Sequence, residues 1–83
     1  MPPIYELDVP EFAQVKLGRR NISAEEALQL RWNDPEESAN PHSRRGRNRK
    51  LLVGETNGGR RLTLVIERTT DPTAWLVITG WDT

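Results

Sequence analysis

Arg49, Lys50, Arg61 and Glu67 are the residues whose types and spacing come nearest to a reaction. Lys50, Arg61 and Glu67 lie on two stretches, 50–55 and 61–68, that flank Thr56-Asn57-Gly58-Gly59-Arg60 and so belong to one β-ribbon, and Arg49 directly precedes the first. Cleavage of RNA by its own 2′-hydroxyl needs charge stabilisation on the pentavalent phosphate, a base for the hydroxyl and an acid for the departing oxygen. Arg49, Lys50 and Arg61 can stabilise the charge, and Glu67 can accept the proton. Lys50 is the candidate acid, because neighbouring cations lower the pKa of an ammonium. The opposing reading of these residues is ordinary solvated strand positions.

Further cations surround this set. Arg44, Arg45 and Arg47 form a basic run that reads either as nucleic-acid-binding or as solubilising. Arg19 and Arg20 are a second basic group near a helix end, where they also complement the helix dipole. On the last strand Thr79 and Trp81 add a hydroxyl and a stacking surface, which completes a candidate nucleic-acid-binding set. His42, the single histidine, sits in Pro-His-Ser and reads as an exposed loop residue. Paired carboxylates of the glycosidase kind, a Gly-rich nucleotide loop, a Ser/His/Asp set and a metal-ligand cluster are all missing, so neither a metal nor a small-molecule cofactor is expected.

The 83 residues allow one domain with a modest core, too small for a large ligand cavity. Without cysteine there is no disulfide framework and no thiolate chemistry. The opening MPPIYELD lacks a basic-then-apolar leader pattern, and no run approaches the ~20 apolar residues of a membrane span. A cytoplasmic protein without membrane contact is the expectation. The net charge of zero hides an asymmetry: residues 1–43 hold four cations against eight acids, and residues 44–83 hold eight against four. A chain that gathers cations beside a rigid ribbon suits an anionic partner, RNA first.

The elements that must position these residues can be read in order. IYELDV is a short first strand. Pro10 opens a helix running to about Arg20, with Asp8 or Val9 as N-cap, a stripe of Phe12, Val15 and Leu17, and Asn21 able to end it in the left-handed conformation. Ser23-Ala-Glu-Glu26 is a capping box that starts a second helix. Ala24, Ala27, Leu28, Arg31 and Trp32 share its core face, and Asn33-Asp34-Pro35 stops it. Acids at the start of this helix argue against a DNA-reading helix-turn-helix. Residues 36–49 read as an exposed basic loop. Strands follow at 50–55, 61–68 and 74–81.

Asn57-Gly58 suits a two-residue type I′ turn, which would pair Val53 with Leu62 and Leu51 with Leu64. Leu51, Val53, Leu62, Leu64 and Ile66 would then face the helices, and Lys50, Leu52, Gly54, Arg61, Thr63, Val65 and Glu67 would face away. On the last strand either Leu76/Ile78 or Trp75/Val77 could be core. The first choice is favoured, and it puts Trp75, Thr79 and Trp81 on the open face with Lys50 and Arg61. The fold expected is α+β, with two N-terminal helices on one face of a small antiparallel sheet made of a short first strand and a three-stranded meander.

YELDVPEFAQVKLGRRNISAEEAL resembles the opening of BrnT-type toxins, where a strand leads to a short helix, a basic pair, Gly-Ile-Ser or Gly-Val-Ser and then acidic residues. The later order is similar too: a proline after helix two, a basic loop, a Gly-rich hairpin and Val-Ile-Thr-Gly on the last strand. An uncharacterised bacterial family of the same plan, sharing Ile-Ser-x-Glu-Glu and a Leu-Val-x-Gly hairpin, is equally similar. The resemblance implies a RelE/ParE-like fold and a toxin-antitoxin system. Its toxin would be a metal-independent endoribonuclease that arrests translation and is neutralised by a ribbon-helix-helix antitoxin. A homodimer is a further assembly in view. The alternative is a catalytically inactive toxin-like domain that binds nucleic acid or an acidic protein. The basic loop and the whole-chain order favour the toxin, and two departures count against turnover. Arg20 and Asn21 replace the usual His-Gly, and Gly80-Trp81 stands where the terminal arginine would be.

Overall fold

The computed structural model describes residues 6–39 and 49–83. The order is β1 (Glu6–Asp8), α1 (Glu11–Gly18), α2 (Ala24–Gln29), a 3₁₀ turn (Leu30–Trp32), β2 (Glu36–Ala39), β3 (Arg49–Glu55), β4 (Arg61–Arg68) and β5 (Ala74–Asp82). One five-stranded sheet in the order β1-β5-β4-β3-β2 carries both helices on one face. The architecture is therefore α+β, but the sheet is mixed: β1 runs parallel to β5, because the two helices carry the chain back across the sheet. Part of the expected loop is also strand, since 36–39 pair with β3. The rest of that loop, with His42, Arg44, Arg45 and Arg47, lies outside the described residues.

Local signals at the helix ends behave as the residue types require. Pro10 is itself the N-cap of α1, in extended conformation, in place of the Asp8 or Val9 expected. Asn21 takes φ 58 and lets the chain turn directly into α2. The Ser23 hydroxyl accepts from the Glu26 N–H at 3.0 Å while Glu26 Oε1 accepts from the Ser23 N–H at 3.1 Å, a complete capping box.

The core lies between the helices and one sheet face, and comprises Leu7, Ala13, Leu17, Ile22, Ala27, Leu30, Leu52, Leu62, Leu64, Ile66, Trp75 and Val77. Four expectations fail here. Trp32 is 70 % exposed instead of core. The tightening from α-helix to 3₁₀ turn rotates Leu30 inward and Trp32 outward, where Arg31 stacks over its ring at 4.5 Å. On α1, Phe12 and Val15 are exposed and Ala13 and Leu17 are buried, because the small Ala13 brings the helix close to the sheet.

The third failure is the hairpin register. Gly59 alone takes positive φ in the turn, so the type I′ geometry, which needs it at both central residues, does not form. The Gly59 N–H donates to the Thr56 carbonyl, the Thr56 N–H donates to the Arg60 carbonyl, and Gly59 at φ 85 closes a three-residue loop. Leu52 therefore pairs with Leu64 and Gly54 with Leu62. This one-residue slip turns β3 over: Leu52 enters the core, and Leu51 and Val53 join the helix-free face with Arg61, Thr63, Val65 and Glu67.

On β5 the favoured choice of Leu76 and Ile78 as core fails: Trp75 and Val77 are in the core and Leu76 lies on the helix-free face, and the expected parity is recovered only beyond a bulge, at Thr79 to Trp81. A bulge opposite Val65 and Ile66 leaves Thr79 paired with Val65 and Val77 with Ile66. Trp75 and Val77 consequently face the helices, while Thr79 and Trp81 face away. Between them Gly80 packs under α1. A Cβ there would lie 2.6 Å from Leu64 Cδ2, 2.9 Å from the Thr63 carbonyl oxygen and 3.1 Å from Leu17 Cδ2.

Gly80→Ala is accordingly expected to destabilise the domain by about 1–3 kcal/mol through overpacking. Gly18→Ala, whose added methyl meets nothing within 4 Å, is expected to be neutral or to stabilise by about 0.5–1 kcal/mol. Urea denaturation of the two variants checks both signs.

Candidate nucleic-acid interface

The register decides which cations meet. Lys50 pairs with Ile66 and Arg68 with Trp75, so all four side chains share the helix-bearing face, where Ile66 and Trp75 are buried and Lys50 and Arg68 reach the surface. There the Lys50 ammonium lies 4.6 Å from the centroid of the Trp75 ring, and the Arg68 guanidinium lies 6.0 Å from it. The electron-rich face of the indole attracts both cations and holds them convergent. With Glu37, Thr69, Thr70 and Pro72 they line a cleft of about 390 Å³.

Each wall of the cleft has a local cause. Glu37 arrives on the edge strand β2 and accepts a 2.9 Å hydrogen bond from Lys50 Nζ. The turn between β4 and β5 is braced internally. Thr69 Oγ1 donates to the Ala74 carbonyl at 2.7 Å, and Asp71 Oδ1 accepts from the Thr73 N–H at 2.9 Å and from its hydroxyl at 2.8 Å. Those Thr73 bonds, the N–H first, hold the Asp71 carboxyl below its ordinary pKa.

The four residues expected to act together are not brought together. Arg49 and Glu67 are on the helix-free face and bond each other at 3.0 Å, a largely exposed pair. Arg61 shares that face but lies six residues along each strand from them, about 20 Å at roughly 3.3 Å per residue. Its surroundings are wrong for a phosphate as well, because its cleft of about 600 Å³ includes Asp34, Glu36 and Glu55. Lys50 points to the opposite face from all three. Of the wider set, Thr79 and Trp81 lie on the helix-free face, and Arg19 and Arg20 stand exposed at the end of α1, beside the hairpin turn.

Three residues not selected from the sequence matter more. Arg68 and Glu37 complete the cleft; their signal was visible only in the register that brings them to Lys50. Arg60, the first arginine after Gly-Gly, joins three elements. It makes a two-pronged bond to Asp82 at 2.6 and 2.9 Å, donates to the Asn21 carbonyl at 2.7 Å and the Arg20 carbonyl at 3.1 Å, and meets Glu26 at 3.2 Å. Arg20 thus contributes its backbone to a structural joint. The Asp82 hydrogen bonds raise the Arg60 pKa and lower that of Asp82, while the Ser23 N–H first, and Arg60 after it, lower that of Glu26.

Among the described residues no helix is long and apolar enough to cross a membrane, and no three His, Cys, Asp or Glu side chains converge to hold a metal ion. Compared with known proteins, the chain matches no protein-family model, no curated protein and no solved structure.

Arg60→Ala is expected to lower the melting temperature clearly, whereas Arg61→Ala leaves it within error. Because Glu26 and Asp82 have lowered pKa values in the folded state, the stability they supply is complete above their ordinary values, 4.5 and 3.8, and is lost as pH falls through the folded ones. Arg60→Ala should therefore show a shallower loss of stability on acidification below about pH 4.5. Thermal melts from pH 7 to pH 3 measure this.

Proposed function

We propose that this domain binds RNA through the cleft of Lys50, Arg68 and Trp75, acting as a nucleic-acid-binding module on a BrnT-like, toxin-related plan. The observation that carries the reading is the pair of cations held over one indole in a concave site. Convergent cations supply phosphate contacts, and the apolar walls beside them suit a base or ribose. The Arg44, Arg45 and Arg47 run in the sequence adds cations that supply sequence-independent attraction.

Dispersal of Arg49, Lys50, Arg61 and Glu67 over both faces argues against the cleavage site read from the sequence. Ribonuclease activity is a second reading, favoured by one observation: Glu37 beside Lys50 puts a carboxylate and an ammonium in a single cleft, the two groups acid–base cleavage of a phosphodiester requires. A cytoplasmic toxin paired with a ribbon-helix-helix antitoxin belongs to that second reading.

Fluorescence anisotropy with a mixed-sequence single-stranded RNA tests the proposal. The wild type should bind with an affinity that falls as salt rises, Lys50→Ala/Arg68→Ala should lose about tenfold or more, and Arg61→Ala should stay within about twofold. Binding that survives the double substitution and disappears with Arg61→Ala would refute it. Gels of the same mixtures separate the two readings: intact RNA supports binding alone, and defined cuts lost in Glu37→Gln support the ribonuclease.

A further inference from the structure

Lys50 already has an anionic partner. Its ammonium is 2.9 Å from Glu37, and the two side chains are only 28 % and 17 % exposed. An anion that enters the cleft must therefore compete with a carboxylate that has lost much of its water, and displacing that carboxylate strands it. An internal phosphodiester has one negative charge, the same as Glu37, so exchanging one for the other gains little. A terminal phosphomonoester has about −1.5 to −2 at neutral pH and three strong acceptor oxygens. It can engage Lys50 and Arg68 together and outbid a single carboxylate.

The shape of the cleft agrees with an end. About 390 Å³ lies at the low end of the roughly 300–1,000 Å³ of small-ligand clefts, room for one nucleotide. A surface that tracks a strand offers a series of stacking platforms. Here Trp75 is the one tryptophan lining the cleft; Trp81 is on the other sheet face and Trp32 on the 3₁₀ turn. The braced 69–73 turn and the edge strand with Glu37 bound the site on two sides.

We infer, resting on the RNA-binding reading, that the cleft receives the phosphorylated end of an RNA strand in preference to its internal backbone, and that Glu37 is the residue that imposes this choice. Glu37 acts as an occupant of the site that only a doubly charged phosphate displaces well. Its removal should relax selectivity by admitting singly charged phosphates.

The test compares one short single-stranded RNA in three forms, with a 5′-phosphate, with a 3′-phosphate and with hydroxyls at both ends, by anisotropy or calorimetry. Wild type should bind one phosphorylated form about tenfold more tightly than the hydroxyl form, and the favoured terminus identifies the end that enters. In Glu37→Gln, with folding checked by circular dichroism, the gap should narrow to about threefold or less because the hydroxyl form gains affinity. The wild-type comparison needs no variant and is decisive alone. Equal binding of all three forms, weakened alike by Lys50→Ala/Arg68→Ala, would overturn end recognition and leave the RNA reading standing. No binding of any form would overturn both.

Discussion

The pairing of β3 with β4 is the constraint on which the rest of this structure depends. A three-residue loop closed by Gly59, in place of a two-residue turn, shifts the ribbon by one position. In a sheet that shift exchanges faces. It buries Leu52, puts Leu51 and Val53 on the helix-free side and carries Lys50 to the side of Trp75 and Arg68. The helix side holds the loop in that form: Gln29 Oε1 accepts from the Asn57 N–H, and the Asn33 amide donates to the Glu55 carbonyl and to Asn57 Oδ1. The same residues that end the second helix thus stabilise the register of a distant hairpin.

The Arg60 joint and the cleft of Lys50 and Arg68 lie at opposite ends of the sheet. At the hairpin end, Arg60 bridges the end of α1, the start of α2 and the end of β5, and Gly80 lets Leu17 settle against Leu64. At the other end Lys50 and Arg68 reach the surface over the buried ring of Trp75. Arg60 and Arg61 are adjacent in sequence and differ in role for this reason. One is engaged by two carboxylates and two carbonyls, and the other projects among acids on the helix-free face.

Much of the fold was legible because its signals are local. The capping box at Ser23, the left-handed Asn21 and the strand at 61–68 each depend on residues within a few positions of one another. What was not legible depends on small geometric changes with distant effects. Asn57-Gly58-Gly59 can close either a two- or a three-residue loop, and the choice is made by contacts from Gln29 and Asn33. The bulge near Ile78 breaks the strict alternation that sequence patterns use, so the ambiguity of β5 was a property of the strand. The candidate site inherited both difficulties. Lys50 and Trp75 were expected together on the open face and meet instead on the helix-bearing one, and Arg61 was given to Lys50 as a partner where the structure supplies Arg68 and Glu37.

The functional account rests on which tryptophan a ligand meets. Trp75 lies beneath the two cations of the cleft and Trp81 lies on the opposite face near Thr63, so their indole N–H groups report the two sides of the sheet separately. Titration of nitrogen-labelled protein with a phosphorylated single-stranded RNA, followed through these indole signals by NMR, is the most direct test. Movement of the Trp75 signal with Trp81 unchanged is the expected result. Movement of Trp81 with Trp75 unchanged would place the ligand on the helix-free face and contradict the account.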